Sequence, residues 1–110
     1  MVFKKFDEQQ VYQVPCVNAD GLELEVGDVI SHNPATKAVE QVSTKANAVA
    51  ALADQKELYL IAQGDAVTEK TGTEYKSYTI GRLVNLEAGV EKIVACYRIT
   101  MVDNVEGWEA

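Results

Sequence analysis

Histidine is almost missing from this chain: His32 is the sole example in 110 residues. That removes multi-histidine metal sites and leaves one candidate base for any serine or cysteine triad. Neither GxGxxG nor a GxxxxGKS/T loop occurs, and the seven glycines lie singly at turn-like positions, so no phosphate-cradling loop and no nucleotide cofactor are expected. No stretch approaches the roughly 18 apolar residues of a membrane span, and the opening MVFKKFDEQQ lacks the apolar centre of a signal peptide. The expectation is a soluble chain made in a cytoplasm, with no membrane partner.

Basic residues are also scarce. Ten lysines and arginines face 17 carboxylates, a net charge of -7. This is the wrong sign for a protein that gains affinity by neutralising phosphates, so nucleic acid is excluded as an expected partner, while a basic protein partner fits. Only two prolines, a hydrophobic fraction of 47% and 25% charged residues set the chain apart from disordered sequences. At this length one core is expected. The two cysteines, Cys16 and Cys96, lie in apolar strand-like segments and read as small buried hydrophobes. A disulfide between them stays open, because it requires the Cα atoms to come within about 7 Å.

What is present reads as β structure. Leu22-Glu23-Leu24-Glu25-Val26 alternates with period two after the Asp20-Gly21 turn, which predicts a half-buried strand with Leu22, Leu24 and Val26 inward and both glutamates outward. Gly27-Asp28 punctuates the chain before Val29-Ile30. A polar turn over 31–37 and a return strand over 39–42 then complete a hairpin. The alanine-rich run 46–53 predicts one short helix, with Val49, Leu52 and Ala53 on one face and Asn47 as a candidate cap. Residues 57–62 are apolar nearly throughout and suit a central strand that Gly64-Asp65 ends. Residues 68–74 contain no apolar side chain and are expected as an exposed loop or hairpin tip, followed by a strand over 75–84 with Gly81 at a bulge. The longest strand is expected over 90–102. With residues 12–17 the pattern gives about seven strands, a mainly β fold, either a small barrel or a sandwich, with one short helix. The pentads Gly27-Asp28-Val29-Ile30-Ser31 and Gly64-Asp65-Ala66-Val67-Thr68 look alike, a similarity that turn chemistry alone explains.

No catalytic constellation emerges. Ser31 and His32 are adjacent in sequence, but triads are assembled in space, and a turn histidine is the simpler reading. A Cys16 or Cys96 nucleophile requires that same His32. Glu23, Glu25, Glu40, Glu87, Glu91 and Glu106 fall on polar faces or in turns, where solvation explains them. The chain is therefore expected not to be an enzyme, with no catalytic, cofactor-binding or metal-binding residues.

Binding features sit at the two ends of a single β-rich domain over 11–103. Residues 1–10 place Val2, Phe3 and Phe6 among charges, as an arm that docks on a neighbouring subunit or as the first strand. In the tail 104–110, Trp108 is an interface anchor or folds back on the core. Val2, Phe3, Phe6 and Trp108 are the candidate partner-binding residues.

From 22 to 42 the chain runs as an apolar strand, then Gly27-Asp28-Val29-Ile30, a polar turn and a valine-bearing return strand. In this pattern it resembles the small capsid decoration proteins of tailed bacteriophages. Length, acidity, β content and the single alanine-rich helix extend the likeness over about 22–101. The resemblance implies a β-rich barrel on the outer capsid face that clamps major capsid subunits in many copies, made in the host cytoplasm and carried on the virion. Its N-terminal arm would make the intersubunit contact. Three rival readings stand beside it: another virion component, such as a head-fibre base or tail protein, which shares all these properties; a small acidic inhibitor or adaptor that docks on a host enzyme; and an enzyme that uses carboxylates alone, which a deep pocket with two close, perturbed carboxylates would mark.

Overall fold

The computed structural model describes residues 10–109. Among these, nine strands and one α-helix follow in the order β1 Val11–Cys16, β2 Leu22–Glu25, β3 Val29–His32, β4 Val39–Val42, α1 Lys45–Ala53, β5 Glu57–Ile61, β6 Asp65–Thr71, β7 Glu74–Ile80, β8 Leu83–Leu86 and β9 Lys92–Ile99. A 3-10 turn at Val102–Asn104 closes the sequence of elements. The mainly β fold with one helix matches the sequence reading.

Five strands form one antiparallel sheet in the order β1-β9-β5-β3-β4. Alternation along each strand sends side chains to opposite faces, and both faces are covered, by different material. One face gathers Val14, Cys16, Ile30, Val39, Tyr59, Ile61, Val94 and Cys96 against Leu24, Val84 and Leu86 of the β2-β8 ribbon. The other gathers Val29, Val42, Leu58, Leu60 and Ile99 against Ala48 and Ala51 of α1 and against Val102 and Val105. This double coverage is why β5 reads as an almost unbroken apolar run. It also explains why all four residues of β3 are buried.

The face under the ribbon is concave. Val17 donates to the Lys37 carbonyl and Val39 donates to the Val17 carbonyl, both at 2.9 Å, so the two outer strands meet at one end. The sheet does not close elsewhere, and the architecture is a curled sandwich rather than a complete barrel. β6 and β7 pair only with each other and extend as a separate ribbon, which accounts for the elongated 50 × 29 × 21 Å envelope.

Several local expectations are corrected. The segment 68–74 is exposed and holds a hairpin tip as expected, but the tip is confined to Gly72-Thr73 and β6 runs on to Thr71. Gly72, at φ +64 in the first central position of a two-residue hairpin loop, supplies the left-handed backbone such a tip requires. The expected strand over 75–84 breaks into β7 and β8 at Gly81, also at φ +64, so a bend stands where a bulge was predicted. In α1 the predicted apolar face points outward. Val49, Leu52 and Ala53 are exposed, while Ala48 and Ala51 face the sheet. Small side chains let the helix backbone lie close to the sheet, and that separation is set by tertiary packing. The cap is Thr44, whose Oγ1 accepts from the Asn47 amide at 3.2 Å, rather than Asn47. β9 ends at Ile99, short of Val102, and Met101 is exposed. The two glycine pentads differ in conformation, since only Gly27 has positive φ.

Candidate functional site

Among the described residues, two places carry more than core packing: a polar cluster at one end of the concave face and an open groove at the base of the β6-β7 ribbon.

The polar cluster centres on His32. Sequence placed this residue in a turn, but it is the last residue of β3 and is 5% exposed. Its Nε2 lies 2.9 Å from the Pro15 carbonyl. A carbonyl only accepts, so Nε2 carries a proton. Nδ1 stands 3.7 Å from Glu57 Oε1, which belongs to the residue paired with His32 in the β3-β5 register. Glu57 in turn accepts from the Tyr59 hydroxyl at 3.1 Å and pairs with Arg98 at 2.9 Å. The Tyr59 ring meets the His32 ring edge-on, with centroids 5.8 Å apart, and Tyr12 packs on it at 6.3 Å. Burial, with Glu57 as acceptor of its proton, pushes the Tyr59 hydroxyl up to about 12.

This cluster organises structure without assembling a nucleophile. Ser31 is next to His32 along β3, so strand alternation sends its side chain to the opposite face. Each thiol donates to a carbonyl of its own strand, Cys16 Sγ to Val14 at 3.3 Å and Cys96 Sγ to Val94 at 3.6 Å. Burial pushes the Cys16 thiol up to about 12 and the Cys96 thiol higher still, so both hold their protons and are poor nucleophiles. Both cysteines are free. The β1-β9 register explains why: Cys16 lies opposite Lys92 and Cys96 opposite Tyr12. Four residues of offset at ~3.4 Å each separate the two by ~14 Å along the strands, well beyond disulfide reach.

The groove lies where the free ribbon leaves the body. It encloses about 660 Å³ between the ribbon base, the 81–85 segment and the start of β9. Val67, Ile80, Leu83, Ile93 and Ala95 supply its apolar lining. Three of these are large and well exposed: Ile80 at 50%, Leu83 at 43% and Ile93 at 63%. A charged clamp fixes the floor. Lys92 Nζ bonds Asp65 Oδ1 at 2.9 Å and the Asn85 carbonyl at 2.7 Å. Gly64 packs so tightly on the Gly81 carbonyl that a Cβ there would lie 2.7 Å from its oxygen. The ribbon is thereby anchored at its base and solvated along its length, with Tyr75 69% exposed.

Of the candidate partner-binding residues, Val2, Phe3 and Phe6 lie outside the described residues. Trp108 is half-buried against the α1-side core, and its Nε1 donates to the Val102 carbonyl at 3.2 Å. The tail folds back as part of the domain, since Val105 is buried and Glu109 donates to the Ser43 carbonyl at 2.8 Å. Sequence reasoning missed Glu57, Tyr59 and Arg98 as a cluster with His32, and it missed the groove. The first depends on strand register and the second on the angle at which the ribbon leaves the body, and neither has a local sequence signal. Among the described residues no group of three or more His, Cys, Asp or Glu side chains is placed to hold a metal ion, and no helix is long and apolar enough to cross a membrane. Comparison of the chain with protein-family models, curated proteins and solved structures gave no match.

Proposed function

We propose that this chain is a structural protein of a virus particle, which binds the outer capsid surface and stabilises the lattice of the major capsid protein. The observation that carries the reading is the groove at the ribbon base, where Ile80, Leu83 and Ile93 stand exposed beside the Lys92–Asp65 contact. A contiguous, uncovered apolar surface of this kind is a protein-binding surface in waiting. The groove is pre-formed, so binding orders little and loses little conformational entropy. The capsid as partner rests on the likeness of 22–101 to decoration proteins. A repeating lattice suits a small acidic clamp: many modest contacts add, while a net charge of -7 keeps the decorated particle dispersed.

The test is co-sedimentation of the purified chain with expanded capsids of the particle whose genome encodes it, combined with capsid melting. Binding and a raised capsid melting temperature are expected, and the Ile80→Glu/Ile93→Glu double variant should abolish both while its far-UV dichroism stays native. Absence of co-sedimentation, or binding untouched by the double variant, would refute the reading.

A further inference from the structure

The outer edge of β7 is seven residues long and uncovered among the described residues. Other edges are blunted. β1 carries Pro15 and is tied at its end to Lys37 and Val39, while β2, β4 and β8 are four residues each. β6 is as long as β7, but its first residue is held against the body, where the Asp65 carboxylate accepts from Lys92 and from the Asn85 amide. β7, by contrast, is exposed at all seven positions and holds no proline. It is rich in residues that favour extended chain, including Tyr75, Tyr78, Thr79 and Ile80. A hairpin of two strands alone in water is marginally stable, and an unprotected edge of this length is a template for another strand.

We propose that β7 pairs antiparallel with β7 of a second copy across a two-fold axis at Ser77, joining two ribbons into a four-stranded sheet. The hairpin register fixes which groups are free. Thr71 and Glu74 close the two-residue loop, so Glu74, Lys76, Tyr78 and Ile80 spend their backbone groups on β6. Tyr75, Ser77 and Thr79 therefore point their N–H and C=O groups outward. With Ser77 on the axis, these residues face Thr79, Ser77 and Tyr75 of the second copy and form about six backbone hydrogen bonds. The side chains agree with that register. Lys76 meets Tyr78 of the second copy, whose hydroxyl is held by Glu69 at 2.7 Å, and Glu74 meets Ile80, so no like charges are opposed. The strand is complementary to itself, which selects a second copy over a different partner.

This inference stands apart from the capsid reading, because a chain that binds no capsid can still dimerise. Sedimentation velocity of the full chain from low to high micromolar concentration should show a monomer-dimer equilibrium. Ser77→Pro removes an outward N–H without touching the β6-β7 ladder and should weaken the dimer by roughly tenfold or more. A second variant is independent of any damage to the hairpin. In Ser77→Cys the paired Cα atoms lie ~5.5 Å apart, inside the ~4.4–6.8 Å disulfide range, so mild oxidation should give a covalent dimer. Glu74→Cys, far from the axis, should not cross-link. A chain that stays monomeric throughout, a dimer insensitive to Ser77→Pro, or cross-linking through Glu74→Cys in place of Ser77→Cys would overturn the proposal.

Discussion

His32 on β3 and Pro15 on β1 are joined by a 2.9 Å contact from ring nitrogen to carbonyl oxygen, although β5 and β9 lie between their strands in the sheet. In a flat sheet three strand spacings would hold β1 and β3 ~14 Å apart. The contact therefore records the curl that makes the inner face concave, and it fastens two distant strands across it. The Glu57, Tyr59 and Arg98 side chains gather beside this tie.

Removing the tie should loosen the curl. His32→Phe keeps a ring against Tyr59 but leaves the half-buried Pro15 carbonyl without its donor, at a cost of about 1 kcal/mol. Chemical denaturation of the variant against the parent chain measures this. Nitrogen chemical shifts of the parent imidazole should show a proton on Nε2, and a ring protonated at Nδ1 alone would contradict the geometry.

Alkaline pH should destabilise the fold. Cys16 rises from 9.0 to about 12 and Tyr59 from 10.0 to about 12 on burial, with Cys96 moved in the same direction. In the unfolded chain these groups lose protons at their ordinary values, so above pH 9 the unfolded state binds fewer protons than the native state. Their contribution is fully present below pH 9 and is lost progressively as pH rises towards 12. Melting temperature followed from pH 7 to pH 11 should fall, and it should fall less steeply in Cys96→Val. Native thiols should also resist a disulfide reagent until denaturant is added.

Where Gly64 meets Gly81 there is no spare room. Gly64→Ala would drive a Cβ to 2.7 Å from the Gly81 oxygen, a backbone atom that cannot swing aside. Overpacking of this kind costs about 1–3 kcal/mol, and hydrogen exchange should report faster opening of β6 and β7. At the tip, Gly72→Ala has open space around it and meets only the left-handed backbone penalty of roughly 1–2 kcal/mol, confined to the ribbon.

The orientation of α1 can be tested with a matched pair. Ala48 is fully buried against the sheet and Val49 is 52% exposed. Ala48→Leu should destabilise by about 1–3 kcal/mol through overpacking, whereas Val49→Lys should stay within about 0.5 kcal/mol of the parent. Equal effects, or the reverse order, would mean that the helix presents its other face.

What the sequence determined by itself is local. Period-two alternation at Leu22-Glu23-Leu24-Glu25 marked β2, with Leu24 inward and Glu23 outward, and the apolar run at 57–61 marked a strand covered on both faces. An alanine-rich stretch marked the helix, and acidity set the charge balance. Each of these signals lies within one short window, where side-chain chemistry and backbone preference act together. Tertiary structure decided the rest. Curl brought His32 from β3 to Pro15 on β1, register set Glu57 and Arg98 beside it and kept Cys16 from Cys96, and the contact of α1 with the sheet turned Ala48 inward and Val49 out. The angle of the β6-β7 ribbon, fixed by Gly64 on Gly81 and Lys92 on Asp65, opened the groove. These are relations between residues far apart in the chain, and their energies arise only when the strands that carry them are already side by side.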